Sequence, residues 1–105
     1  MELTLSTFGK IISTDNTSEE ILKSIDKQLR KSNTVNVNAE DVVISTKCAR
    51  LIFGTLYKRL KKNEFNKKIQ FKNASPSFMF AINEGILTEL RSNKKVNTDN
   101  INNIK

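Results

Sequence analysis

Apolar residues recur along this chain at two spacings, one near every second residue and one near every third or fourth. Leu3 and Leu5 alternate with polar neighbours, and Ile11 and Ile12 follow a turn near residues 7–9, so residues 2–13 read as a short β-hairpin. A polar stretch at 14–18 follows, where Thr17 and Glu20 fit a capping box. The helix it opens runs over 18–31, with Ile21, Leu22, Ile25 and Leu29 on one face. Val35 and Val37 alternate in a strand over 34–38, and Val42, Val43 and Ile44 make a short apolar segment. Ser45 or Thr46 then caps a second helix over 46–61, in which Cys48, Leu51, Ile52, Thr55, Leu56 and Leu60 keep helical spacing. Residues 63–66 read as a connector, and 68–72 as a strand around Ile69 and Phe71. Ser75-Pro76 starts a third helix over 76–91 with Phe78, Met79, Ile82, Ile86 and Leu90 apolar. Gly85 inside it costs about 1 kcal/mol against alanine and suggests a close helix–sheet approach.

Strands alternating with helices predict an α/β fold, a mixed β-sheet covered by about three helices. With 105 residues there is room for one domain, placed at 1–92, while the polar stretch 93–105 reads as a mobile tail. A hydrophobic share of 37% against 28% charged residues is enough for a core, which argues against disorder. No apolar run nears the roughly 18 residues of a membrane span, and Met-Glu-Leu-Thr-Leu does not resemble a signal peptide. The absence of histidine excludes Ser-His-Asp and Cys-His catalysis and the commonest ligand of catalytic zinc. One cysteine makes no internal disulfide, which points to a reducing cytoplasm. No glycine-rich phosphate loop is present, so neither enzyme activity nor a cofactor is expected.

The net charge of +7 is unevenly placed. Residues 1–40 carry five basic and six acidic groups, whereas 41–105 carry thirteen basic and five acidic. Lys58, Arg59, Lys61, Lys62, Lys67, Lys68 and Lys72 are opposed only by Glu64 in their stretch. Such a patch suits nucleic acid, acidic lipid or an acidic protein, or else the solvated end of a lysine-rich helix. Four arginines and one tyrosine are few for base readout or stacking.

The segment from Val35 through Val42-Val43-Ile44-Ser45-Thr46, followed by Cys48-Ala49-Arg50-Leu51-Ile52-Phe53-Gly54, resembles the STAS domain of anti-sigma-factor antagonists. It is more similar still to STAS-like proteins of unknown function. Ile69 to Phe71 and Asn73-Ala74-Ser75-Pro76 resemble the next strand and helix start of that group. The likeness covers roughly residues 14–90 through element order and two short motifs. Where phosphorylatable antagonists carry aspartate before paired serines, Ile44 stands here, and Lys47 stands in place of glycine. The resemblance implies a non-enzymatic regulatory domain that presents residues 45–47 to a protein partner, a GHKL-type ATPase or kinase acting in trans. It makes Thr46 the candidate phosphoacceptor, with Ser45 beside it and Lys47 a charge partner.

Each of these residues has a plainer reading. Ser45 or Thr46 can be simply a helix cap, and Cys48, on the apolar stripe, a core residue rather than a reactive thiol. The rival function is a basic nucleic-acid-binding accessory protein, for instance of a mobile-element or phage-conflict system, resting on the lysine cluster. Oligomeric state and strand order are not readable from the sequence.

Overall fold

Strands β1 (Glu2–Thr4), β3 (Val35–Asn38) and β5 (Ile69–Lys72) form a parallel sheet in the order β1-β3-β5. Strands β2 (Ile11–Ile12) and β4 (Val43–Ile44) form a second, two-stranded parallel pair. The structure is a computed structural model describing residues 2–99, with side-chain surroundings given as far as Ser92. The α/β class is as the alternating pattern predicts, but every strand pair among the described residues is parallel rather than mixed.

The N-terminal hairpin does not form. Leu5 turns inward as the first residue of a 3-10 turn (Leu5–Phe8) and is fully buried, and Gly9 leaves that turn at φ 124°. A left-handed φ of this kind suits glycine. The turn separates β1 from β2, so each pairs with a later strand instead of with its neighbour: Leu3 lies opposite Val37, and Ile12 opposite Ile44.

Helix α1 (Asp15–Lys31) starts earlier than the capping box suggests. Its cap is Thr14, whose hydroxyl oxygen accepts from the Thr17 N–H at 3.3 Å, so Thr17 already lies inside the helix. Ile21 and Ile25 are fully buried on the inner face, as the spacing predicts.

The second helix is a composite. Helix α2 (Thr46–Ala49) passes through a π-helical turn (Arg50–Gly54) into α3 (Thr55–Lys68). A sharp break sits inside α3 at Lys61, with φ 73° and ψ 166°, a region that is almost confined to glycine. The expected end near residue 61 is therefore a kink, and the expected connector at 63–66 is helical, anchored by buried Phe65. Helix α4 (Pro76–Asp99) opens at Ser75, whose hydroxyl accepts from the Phe78 N–H at 3.1 Å. It runs on past residue 91 to Asp99, so the first part of the expected tail is helical, and residues 100–105 lie outside the described residues.

Leu5, Ile12, Val35, Val37, Ile52, Phe53, Leu56 and Phe78 fill the core between sheets and helices. Phe53 and Phe78 each pack edge-on to Phe71, at centroid distances of 5.2 and 6.1 Å. Gly85 permits a close approach, but of helix to helix: a Cβ there would lie 2.6 Å from the Arg50 backbone nitrogen and 2.8 Å from the Ala49 carbonyl carbon. Gly54 faces the same crossing, with its Cβ position 3.0 Å from the Glu89 Cβ.

Candidate functional site

Helices that connect parallel strands begin where one strand ends and finish where the next begins. Helix α1 enters from β2 and α2 from β4, and the β2–β4 pairing is parallel, so the two helix starts lie side by side. Three contacts tie this end together. The Ser45 N–H donates to the Ile12 carbonyl at 3.0 Å, the Cys48 thiol lies 3.6 Å from the Thr14 carbonyl, and Lys47 pairs with Asp15 at 3.2 Å.

Within the predicted trio 45–47 the roles separate. Ser45 is the cap, its hydroxyl accepting from the Cys48 N–H at 3.1 Å. Thr46 is the first helical residue and is exposed, with no side-chain hydrogen bond among the described residues. Lys47 is exposed and engaged with Asp15. Cys48 is fully buried, as a core cysteine should be.

Apolar surface borders this start. Ile11 and Val43, opposite each other in the β2–β4 register, are 71% and 62% exposed, which is unusual for β-branched residues within strands. Leu51 is exposed on the helix side. The alternation in the sequence could not show this, because Ile11 and Val43 look like core residues until pairing decides which face is covered. Leu51 lies in a groove with Asp15, Lys47, Arg50, Thr55 and Glu89.

Glu89 of α4 closes that groove and holds two cations. Arg50 Nε donates to its Oε1 at 2.8 Å and Lys58 Nζ to its Oε2 at 3.2 Å. The Arg50 hydrogen bond holds the Glu89 carboxyl below its ordinary value of 4.5, against the opposing effect of partial burial and with further help from Lys58. A depressed carboxylate stabilises the fold above its unfolded pKa and loses that contribution as pH falls through the lower folded value. Wild-type stability should therefore drop between about pH 5 and the acid side of the Glu89 transition. Glu89→Gln should flatten that part of a urea-midpoint-versus-pH profile; an unchanged profile would show that the pairing contributes nothing.

Lys61, Lys62, Lys67 and Lys68 of the predicted basic patch lie in the last part of α3, which leads into β5. Residues 46–68 run from the close of β4 to the start of β5, and α1 runs from the close of β2 to the start of β3. Since Val35 is in register with Ile69, the segment after α1 and the end of α3 reach the beginnings of β3 and β5 side by side, and Asn33 and Thr34 share a groove with Glu64, Lys67 and Lys68. Three of the predicted patch residues are neutralised there or along the helix: Lys58 by Glu89, Arg59 by Asp26 at 2.7 Å, and Lys68 by Glu64 at 3.7 Å. Lys72 is set apart on Glu2, at 3.1 Å. Lys61, Lys62 and Lys67 are exposed and make no ion pair among the described residues.

No group of three or more metal-ligating side chains gathers among the described residues, and no described helix is long and apolar enough to cross a membrane. No protein-family model, no curated protein and no solved structure matches the chain.

Proposed function

We propose that this chain is a STAS-like regulatory module without enzymatic activity, which works in the cytoplasm by binding a protein partner in trans. The partner is a GHKL-type ATPase or kinase, and the contact is made by the end of the molecule that carries residues 45–47. The observation that carries the reading is the exposure of Ile11 and Val43 on the strands that lead into α1 and α2, together with the exposed hydroxyl of Thr46, which makes no side-chain hydrogen bond among the described residues. Apolar side chains left open next to a polar, modifiable position favour a protein contact that a charge change can break.

Ser45 supports this division of labour. Because it supplies the cap, Thr46 is free of a structural duty, and a phosphate on Thr46 would leave the helix start intact. That phosphate would add about −1.5 to −2 charge next to Lys47 and the open N–H groups of the helix start. It would also place this charge beside the apolar pair, where a partner's apolar surface would have to be desolvated against it.

The test uses the full chain and a GHKL-type ATPase encoded beside it. Thr46→Asp should weaken capture of the ATPase, and Thr46→Ala should preserve capture with almost no change in stability. Ser45→Ala should lose about 0.5–2 kcal/mol as a missing cap while still binding when folded. Incubation with the ATPase and ATP should add a phosphate to Thr46, read by mass spectrometry. Equal capture by wild type and both Thr46 variants, with no phosphate added, would reject the switch.

A further inference from the structure

We infer that the opposite end of the molecule is a second binding surface, for the phosphate backbone of duplex nucleic acid. The sequence shows a run of lysines on one helix. What the fold adds is a second source of charge, because the end of α1 sets Arg30 on the side of that helix that faces α3, which carries Lys61, Lys62 and Lys67. Two grooves link the helices there. Arg30 shares one with Leu56, Arg59 and Leu60, and Asn33 and Thr34 share the other with Glu64, Lys67 and Lys68. These four cations, Arg30, Lys61, Lys62 and Lys67, are exposed and unpaired among the described residues.

The chemistry of this end favours nucleic acid over the other acidic partners. An acidic membrane surface is held by basic residues together with apolar side chains that insert. The large exposed hydrophobics of the described residues, Ile11, Val43, Leu51, Phe80, Leu87 and Leu90, all lie on other segments. Neutral donors surround the cations instead: Asn33, Asn63 and Asn66 are exposed, and their amides suit phosphate oxygens. Duplex is favoured over single strand because no exposed aromatic offers a stacking platform here. Tyr57 is half-buried and packed against Phe65, with ring centroids 5.2 Å apart.

Lys61 adds a distinctive feature. Its backbone adopts a conformation almost confined to glycine, and the kink turns the chain where Lys61 and Lys62 are presented.

Fluorescence anisotropy of the full chain with a labelled mixed-sequence DNA duplex, at about 50 to 200 mM salt, tests the inference. Four phosphate contacts give a log–log salt slope of about −3.6, so a fourfold rise in salt should weaken binding about 150-fold. The triple variant Lys61→Gln, Lys62→Gln, Lys67→Gln should bind more weakly at low salt, with a slope nearer about −1. Lys47→Gln, which removes one positive charge at the far end, should bind as wild type does. The surface is refuted if the triple variant keeps the wild-type slope, if Lys47→Gln weakens binding as much per charge, or if no duplex binding is seen at low salt. Tighter binding to phosphatidylserine vesicles, or to polyglutamate of matched charge, would replace nucleic acid with a membrane or an acidic protein. None of these results depends on an ATPase partner, so this surface and the one at Thr46 stand or fall separately.

Discussion

Gly85→Ala should destabilise the protein by about 2 kcal/mol, although helix propensity alone argues for a gain. Alanine is favoured over glycine inside a helix by about 1 kcal/mol. At this position the new Cβ would sit 2.6 Å from the Arg50 nitrogen, 2.8 Å from the Ala49 carbonyl carbon and 3.0 Å from the Ala49 Cβ. Two of those three atoms are backbone, so no side-chain rotation relieves the clash and α4 must move away from the π-helical turn. Overpacking of this kind costs about 1–3 kcal/mol and sometimes more, which outweighs the propensity gain. Separation would also strain the Arg50–Glu89 bond across the same crossing. Gly54→Ala, whose nearest neighbours lie at 3.0 and 3.2 Å, should cost less. Urea unfolding of the three proteins decides it through the midpoint at constant slope. A Gly85→Ala variant more stable than wild type would show that the helices do not cross this closely.

The largest loss should follow Phe53→Ala, at about 3–5 kcal/mol. Phe53 is fully buried at the junction of the π-helical turn with the sheet, and its ring meets Phe71 edge-on at 5.2 Å. Phe71 in turn meets Phe78 of α4, so one aromatic chain joins the composite helix, β5 and α4. Truncation removes the hydrophobic burial and leaves a cavity that three rigid elements are poorly able to close. A domain of this size has a total stability of only about 5–15 kcal/mol, so the variant should be close to unfolded at 37 °C. Phe53→Leu keeps much of the volume and should remain folded, which allows a double-mutant cycle with Phe71→Leu. The cycle should return a coupling of about 0.5–1.5 kcal/mol from the edge-to-face contact. Additive losses would place the two rings in separate environments.

The helix faces were readable without coordinates. Ile21 and Ile25, Cys48, Ile52 and Leu56, and Phe78 and Ile82 are all buried, because a 3.6-residue period puts them on one side whatever that side packs against. The Ser75 cap, and a cap at Ser45 or Thr46, were readable because a cap is satisfied within three residues, and the structure selects Ser45. The break at Lys61 was not, because no glycine or proline marks it. The helical stretch after it buries Phe65, and that gain depends on a site built by other parts of the chain.

By itself, then, the sequence determined the α/β class, most of the strand and helix segments, most of the inward helix positions, and the excess of positive charge in the second half. Tertiary structure decided which strands pair. An alternating segment is equally able to join its neighbour in a hairpin or a distant strand in parallel, and here β1 and β2 each took a distant one. That choice left Ile11 and Val43 uncovered on the strands that lead into α1 and α2, and it set Arg30 of α1 on the side that faces α3. It also set Gly85 against Ala49 and Arg50. Periodicity is a property of a few consecutive residues, while pairing, exposure and charge clustering depend on residues tens of positions apart, whose meeting is fixed only when the whole core closes.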